Sequence, residues 1–264
     1  MQHRAIGIFD SGVGGLTVFK EISRLSPGEN LVYLGDTARV PYGTKSVETV
    51  QRYALEAAEF LVNQGVKLLV VACNTASAVA LPLLRERFKL PVIGVIEPGA
   101  RRAANSLNRR IGVIGTEGTI NSHRYAEAIH ALVPDAQISS VACPLFVPLA
   151  EEGWAEHEIA RLTAVEYLQP LMTEKIDTLV LGCTHYPLLS NTLRQVLGNT
   201  VLLVDSAAET AKSVKEVMQQ HGLKNPENGG QHTFFVTDVP TRFERVGQAF
   251  LGKSLGQIEQ IQIG

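Results

Sequence analysis

Short apolar runs alternate with longer helical stretches along almost the whole chain. Most of the runs are near-continuous Val, Ile and Leu, and they cover residues 5–10, 30–36, 67–74, 90–98, 110–116, 136–144, 176–184, 200–206 and 232–238. Continuous runs of this length are typical of parallel strands that are covered on both faces. Residues 47–65 have helical periodicity and end on Gly65, a residue type that often follows helices. The pattern predicts an α/β fold.

The apolar runs also repeat along the chain. Four segments of the first half match four of the second half in the same order, namely IGIFDSG with IGVIGTEG, VYLGD with SVACP, VVACNT with VLGCTH, and VIGVIEP with VLLVDSA. The offsets between partners all fall between 105 and 110 residues. Four ordered matches predict two halves of like topology, that is, two pseudo-symmetric domains of parallel-sheet type.

The chain after about residue 207 has no partner in the second half of the repeat. It contains a helical stretch, a polar loop at residues 224–231, the last apolar run and a final helical stretch. We expect it to cross back, which gives a first domain of residues 1–97 plus 208–264 and a second domain of residues 98–207. Ligands of open α/β sheets bind outside the carboxyl ends of the strands, so we expect the active site in the cleft between the domains.

Charge and hydropathy exclude several classes of protein. The formal net charge is −2 and no basic run occurs, so neither nucleic acid nor a membrane surface is an expected partner. No window approaches ~18 apolar residues, so no membrane span is expected. The first residues, MQHRAIGIFDSG, do not resemble a signal peptide, and we expect a cytoplasmic protein.

The three cysteines do not form a disulfide or zinc pattern. They are an odd, sparse set without a C-x-x-C pair. Cys73 and Cys183 are equivalent in the repeat, and each ends a predicted strand. Polar pairs that a core would not favour follow them, Asn74-Thr75 in one repeat and Thr184-His185 in the other. Cys143 is followed by Pro144 and an apolar run, and is predicted to be a core residue.

Two thiols that face one carbon atom from opposite sides can move a proton from one face to the other. One must act as base and the other as acid. Cysteine suits both roles because its reference pKa of ~8.5 is close to neutrality and can be lowered by neighbours. A helix start after either cysteine, or His185 beside Cys183, would favour the thiolate. The alternative is that Cys73 and Cys183 are small hydrophobic core residues, as most buried cysteines are.

Further candidate residues lie in loops and turns. Residues 9–22 have the pattern of a strand end, a Gly-rich turn and a helix start, which can offer backbone N–H groups to an anion. The full G-x-G-x-x-G spacing and a P-loop lysine are both missing, so a substrate carboxylate is as good a ligand as a nucleotide. Asp10 is a candidate proton relay or partner of a substrate ammonium, and alternatively caps the turn.

Two other segments can each be interpreted as functional or as purely structural. Tyr42 and Gly43 could close on a small ligand, or belong to an ordinary surface loop. One carboxylate of PLAEEGW, at residues 148–154, could support a thiol, or both could lie at a solvated helix end. The remaining histidines lack the spacing of metal ligands, and no metal site is predicted.

Several long motifs of this chain resemble the glutamate racemases of the aspartate/glutamate racemase superfamily. They are GIFDSGVGGLTV, YLGDTARVPYGTKS, VVACNTASA, GVIEPG, IGVIGTEGTI, CPLFVPLAEEG and LGCTHYPLL, which span residues 7–189, with DSA at Asp205 extending the match. The resemblance implies a cofactor-free interconversion of L- and D-glutamate that supplies D-glutamate to peptidoglycan synthesis. It also implies two pseudo-symmetric α/β domains with the site between them. Separately from the resemblance, we expect a homo-oligomer, a dimer.

The resemblance also assigns roles to residues of this sequence. It implies that Cys73 and Cys183 are the acid/base thiols. The supporting polar groups that it implies are Asp10, Glu151 and His185, with Glu152 as an alternative to Glu151. The residues that it places around the substrate are Asp10, Ser11, Tyr42, Gly43, Asn74, Thr75, Thr184 and His185.

Three other interpretations remain open at this point. Aspartate and hydantoin racemases share the cysteine pair, so the same chemistry could act on another substrate. A thiol redox or metal-binding module could use Cys73, Cys183 and His185, although the spacing does not favour it. A binding protein without catalytic activity could also have this fold.

Overall fold

The computed structural model describes residues 1–227 and 229–264, and within them the chain forms two β-sheets. The strands of the first sheet are β1 (Ile6–Asp10), β2 (Leu31–Gly35), β3 (Leu68–Val71), β4 (Val92–Gly94), β9 (His232–Val236) and β10 (Ile258–Gln260). Those of the second sheet are β5 (Arg110–Gly115), β6 (Gln137–Ala142), β7 (Thr178–Gly182) and β8 (Leu202–Asp205). Every strand pair described is parallel. The predicted α/β class is confirmed.

The two sheets have the same internal topology. The first has the order β10-β9-β2-β1-β3-β4 and the second the order β6-β5-β7-β8. The sequence repeat matches β1, β2, β3 and β4 with β5, β6, β7 and β8 in turn. With this matching, the order β2-β1-β3-β4 of the first sheet equals the order β6-β5-β7-β8 of the second. The predicted pseudo-symmetry is therefore visible in the strand connections, and each of the nine predicted runs contains one strand.

The tail of the chain returns to the first sheet, as predicted. Strand β9 pairs with β2, with Leu31 opposite His232. Strand β10 then adds to β9 at the edge of the sheet. The sequence pattern missed β10, because IEQ is short and mostly polar. The proposed domain limits, 1–97 plus 208–264 and 98–207, remain a prediction.

Helices connect the strands and cover both faces of each sheet. In the described residues they are α1 (Leu16–Leu25), α2 (Val47–Asn63), α3 (Asn74–Arg87), α4 (Ile96–Ala103), α5 (Glu117–Asn121), α6 (Arg124–His130), α7 (Phe146–Glu151), α8 (Glu158–Thr173), α9 (Ser190–Leu197), α10 (Ser206–Gln220) and α11 (Pro240–Leu251). Two short 3-10 helices cover Tyr42–Thr44 and Tyr186–Leu189. Side-chain caps fix several helix starts, and Asp205 Oδ1 accepts the Ala207 N–H of α10 at 2.8 Å.

Successive residues of a central strand belong to different hydrophobic cores. Ile8 of β1 packs in one buried cluster, and the next residue, Phe9, packs in another. Val113 and Ile114 of β5 divide between two further clusters in the same way. Because side chains of a strand alternate between its faces, each sheet has helices packed on both sides. This double burial explains the continuous apolar runs of the sequence.

No helix in the described part of the chain is long and apolar enough to cross a membrane. The predicted polar loop at residues 224–231 includes position 228, which lies outside the described residues.

Candidate active site

Cys73 lies at the point where β3 passes into α3. It is the N-cap residue of that helix, and its sulfur accepts the backbone N–H of Ala76 at 3.5 Å. The side chain is buried, with 6% of the residue exposed. Burial raises the pKa of Cys73 to about 12, and the negative charge of Asp10 adds to this effect. The Ala76 N–H and the Ser11 hydroxyl act in the opposite direction because they hydrogen-bond the sulfur.

Cys183 occupies the equivalent place after β7, where a turn leads to the short helix Tyr186–Leu189. It is also buried, with 7% exposed. Its sulfur lies 3.8 Å from Nδ1 of His185. The two cysteines therefore share a position in the repeat but have different hydrogen-bond partners, a helix N-terminus for Cys73 and an imidazole for Cys183.

Both cysteines line one cavity of about 240 Å³. Every predicted site residue except Asp10 contributes to its wall: Ser11, Tyr42, Gly43, Cys73, Asn74, Thr75, Glu151, Cys183, Thr184 and His185. Cys143 does not line it and is fully buried, with its thiol directed at the Val141 carbonyl at 3.6 Å. The core assignment of Cys143 is thus confirmed. The two thiols open into one space, which the core alternative for Cys73 and Cys183 does not explain.

His185 connects Cys183 to a carboxylate. Its Nε2 lies 3.0 Å from Glu151 Oε1, while Nδ1 faces the sulfur. Burial disfavours the imidazolium, but hydrogen bonds to Cys183 and Glu151 outweigh it and raise the pKa of His185 to about 10. These contacts favour the imidazolium form, in which both ring nitrogens are donors.

Glu151 is the carboxylate that takes part in this chain of contacts, and Glu152 is not. Oε2 of Glu151 also accepts a hydrogen bond from Arg242 Nη2 at 3.1 Å. Burial alone would raise the pKa of Glu151, but His185 and Arg242 hold it below its ordinary value. Glu152 is the exposed C-cap residue of α7 and does not line the cavity.

Asp10 is buried next to Ser11 of the cavity wall, with 1% of the residue exposed. Its Oδ1 accepts the Gly12 N–H at 3.0 Å, which is the turn-forming role that the sequence left open. Its Oδ2 is buried and has no hydrogen-bond partner among the described residues. Burial raises the pKa of Asp10, although the charge of His185 and backbone N–H groups oppose this. Asp10 therefore shapes the turn after β1, and its charge acts on both His185 and Cys73.

Neutral donors and apolar side chains line the rest of the cavity, with no Lys or Arg among the described lining residues. The hydroxyl of Thr75 lies 2.9 Å from that of Thr116 and 3.2 Å from that of Thr119. Asn74 Oδ1 accepts a hydrogen bond from Tyr125 at 2.7 Å. Its buried Nδ2 has no protein partner in the described residues, so a donor remains for a ligand.

Sequence analysis missed Thr116, which lines the cavity after β5. The repeat offset of 105 residues places it opposite Ser11, so the signal was present. It also missed Val147 and Pro148, which add apolar surface next to Glu151. Arg242 was missed for another reason: it is 91 residues from Glu151, and only the tertiary fold brings them together.

Glycines let the two halves of the molecule approach closely around the cavity. A Cβ built on Gly14 would lie 2.3 Å from Thr184 Oγ1, and one on Gly43 would lie 2.6 Å from Thr116 Cβ. A direct bond also crosses here, since Thr17 Oγ1 donates to the Thr184 carbonyl at 3.1 Å. The turn after β1 can therefore pack against the end of β7 only without a side chain at Gly14.

Comparison with known proteins gives the family. A family model described as Asp/Glu/Hydantoin racemase matches residues 6–214. The chain belongs to this racemase family. It is 58% identical over 265 residues to a glutamate racemase of Geobacter metallireducens, with 100% of this chain and 98% of the relative covered. A glutamate racemase of Syntrophus aciditrophicus is 54% identical over 260 residues, covering 98% of this chain and 96% of the relative.

Solved structures of racemases have the same fold. Glutamate racemase isoform RacE1 of Bacillus anthracis superimposes with a TM-score of 0.96 at 42% identity, covering 99% of this chain and 98% of that one. A glutamate racemase of Francisella tularensis in complex with D-glutamate gives a TM-score of 0.95 at 39% identity, with the same coverage. The predicted family and fold are confirmed, and the protein is an enzyme of the isomerase class.

Proposed function

We propose that this protein interconverts L- and D-glutamate without a cofactor, using Cys73 and Cys183 as the two acid/base groups. The observation that carries the proposal is that both thiols, equivalent in the repeat, line one cavity. Full-length relatives that are glutamate racemases, and a relative whose structure holds D-glutamate, support the choice of substrate. The cavity, about 240 Å³, suits an amino acid better than a drug-sized ligand.

In the proposed reaction one cysteine is a thiolate and the other a thiol when the substrate binds. The thiolate takes the α-proton, the carbon becomes planar, and the opposite thiol gives its proton to the other face. The first sulfur ends as a thiol and the second as a thiolate, so protons and charge balance. Which cysteine is the base depends on the enantiomer that is bound.

The two sulfurs reach their thiolate forms by different means in this proposal. The His185 cation stabilises the Cys183 thiolate through Nδ1. The N-terminus of α3 stabilises the Cys73 thiolate, with Ala76 N–H as the donor. Burial raises the pKa of Cys73, and the positive ammonium of a bound amino acid would counter this by stabilising the negative thiolate.

Hydroxyl and amide donors hold the substrate carboxylates in the proposed complex. Charge moves onto the α-carboxylate as the proton leaves, so donors fixed beforehand lower the barrier. Asn74 offers a free amide donor for this role, and Ser11, Thr75 and Thr184 offer hydroxyls. Tyr42, Gly43 and Thr116 complete the proposed substrate surface.

The biological setting follows from the proposed reaction. We infer that the D-glutamate serves peptidoglycan synthesis, and that the enzyme acts in the cytoplasm as a homodimer. Rescue of a bacterial D-glutamate auxotroph by this gene would support the first inference. Size-exclusion chromatography with light scattering tests the dimer.

Substrate choice is tested by following optical rotation with L-glutamate, L-aspartate and a 5-substituted hydantoin, without added pyridoxal phosphate or metal. The proposal predicts loss of rotation with L-glutamate at a kcat/KM at least about 100-fold above the others. Turnover of aspartate or hydantoin alone would show that the proposed substrate is wrong but would leave the proposed two-thiol mechanism in place. No turnover of any of them would contradict an enzymatic role for the two thiols.

A further inference from the structure

Helix α11 approaches the site from the first sheet. Cys183 and His185 instead follow β7 of the second sheet, and Glu151 is the last residue of α7, which lies between β6 and β7. Buried Phe243, Val246, Phe250 and Leu251 anchor α11 in the core of the first sheet. Its exposed face then contacts the other half at Glu151, through Arg242. Two turns further on, the Phe250 ring meets the His185 ring edge to face, with centroids 5.3 Å apart.

Glu151 is held from both of its oxygens. Oε1 accepts from His185 Nε2 at 3.0 Å, and Oε2 accepts from Arg242 Nη2 at 3.1 Å. The Glu151 side chain is 23% exposed, so without Arg242 one oxygen would face water and the carboxylate could turn away from the imidazole. Arg242 therefore fixes the rotamer of the group that orients His185.

Several charged groups act on His185 besides Glu151. Asp10 on β1 attracts the imidazolium, and the Cys183 sulfur accepts a hydrogen bond from it. Arg242 is a cation like the imidazolium, and it is linked to the ring through the two oxygens of Glu151. Arg242 thus has no direct attraction for the imidazolium, and its effect depends on where it holds Glu151.

We propose that Arg242 is a positioning residue for the Cys183 half of the reaction: it holds Glu151 against His185, and so keeps a cation beside the Cys183 sulfur. This inference rests on the two-thiol function proposed above. Because Arg242 and Glu151 come from opposite halves of the molecule, the contact also makes the state of Cys183 depend on how closely the two halves approach. Cys73 lies outside this chain of contacts and keeps its own donor, Ala76 N–H.

The test measures the pH dependence of alkylation of Cys183 by iodoacetamide in a full-length Cys73→Ser background, with peptide mass spectrometry to locate the label. Arg242→Gln removes the contact, and Arg242→Lys retains the charge. Arg245→Gln is the matched control, because Arg245 is exposed on the same helix and forms no salt bridge in the described residues. The same variants in a Cys183→Ser background report on Cys73.

Arg242→Gln is expected to move the alkylation midpoint of Cys183 upward by about half a pH unit and, in the protein that keeps both cysteines, to lower kcat about three- to five-fold, as for a partly exposed ion pair. Arg242→Lys should restore most of both, and Arg245→Gln and the Cys73 profile should not change. Equal Cys183 profiles for Arg242→Gln and Arg245→Gln would overturn the proposal, as would an equal shift at Cys73.

Racemisation of glutamate by the unmutated protein is scored separately. If the enzyme is active but the pH profile of Cys183 alkylation does not change in Arg242→Gln, only the positioning role is overturned. A protein inactive on glutamate whose Cys183 profile depends on Arg242 overturns the proposed substrate and supports the positioning role.

Discussion

Nδ1 of His185 lies 3.8 Å from the sulfur of Cys183, in a site where the other sulfur, that of Cys73, accepts a backbone N–H instead. The repeat thus gives two equivalent strand ends and two different electrostatic environments. A reaction that runs in both directions needs either thiol to serve as base, so each environment has to support a thiolate by its own means.

The first prediction concerns the imidazole itself. His185→Gln removes the cation beside Cys183, and a lost acid/base support of this kind typically costs about 10²- to 10⁴-fold in rate. We expect kcat for glutamate to fall by at least about 100-fold. We also expect activity to set in at a higher pH than in the wild type. His221→Gln, a change at an exposed histidine, should leave both unchanged. Full activity of His185→Gln at neutral pH would contradict the role of the imidazole.

A second prediction concerns stability and pH. The pKa of His185 is about 10 in the folded protein against an ordinary value of 6.5, so its protonation stabilises the fold fully below pH 6.5. This contribution is lost as the pH rises toward 10, because the unfolded chain has already released the proton. Urea unfolding of wild type and His185→Gln should give free energies of unfolding whose difference shrinks from pH 6.5 to 10. A constant difference over that range would be inconsistent with the raised pKa.

The third prediction concerns Tyr125, which donates to Asn74 Oδ1 at 2.7 Å from the opposite half of the molecule. Tyr125→Phe removes this bond and lets the Asn74 amide turn. A lost hydrogen bond of this kind costs roughly 0.5–1.5 kcal/mol, which corresponds to about two- to ten-fold in binding. We expect kcat/KM for glutamate to fall by that factor, because the amide serves the α-carboxylate in the transition state. An unchanged kcat/KM would show that the amide is fixed by other contacts.

Gly14 provides the fourth prediction. Its alanine Cβ would lie 2.3 Å from Thr184 Oγ1 and 2.5 Å from the His185 ring, so Gly14→Ala pushes the turn after β1 away from both. Misplacement of about 1 Å at a reacting centre can cost about 10²-fold. We expect kcat/KM to fall by at least about ten-fold in a protein whose far-ultraviolet circular dichroism is unchanged. Wild-type kinetics would mean that the close approach has no part in turnover.

Much of the fold could be predicted because burial on both sides of the sheets leaves a direct trace in the sequence. Continuous runs such as residues 67–74 and 176–184 show where strands lie, and their constant offset indicates a duplicated topology. Strand β10 left no such trace, because an edge strand is paired on one side only and IEQ is largely solvated.

The candidate site was predictable wherever it follows the repeat, since equivalent strand ends meet the same cleft. Thr116 could have been found in this way from Ser11. For Asp10 the sequence left a turn-forming role open, which its contact with the Gly12 N–H shows, and its role toward a substrate stays a prediction. The choice of Glu151 over Glu152 depended on the helical rotation of α7, and Arg242 on tertiary packing, and neither has a signature in local sequence.

The central claim is that Cys73 and Cys183 both act on one α-carbon. The most direct measurement is incubation of the purified protein with L-glutamate in heavy water, with optical rotation and the α-proton NMR signal followed together. We predict loss of rotation with deuterium at the α-carbon, abolished by Cys73→Ala and by Cys183→Ala but retained in Cys143→Ala, the buried thiol outside the cavity. Racemisation that survives loss of either Cys73 or Cys183 would contradict the two-thiol account.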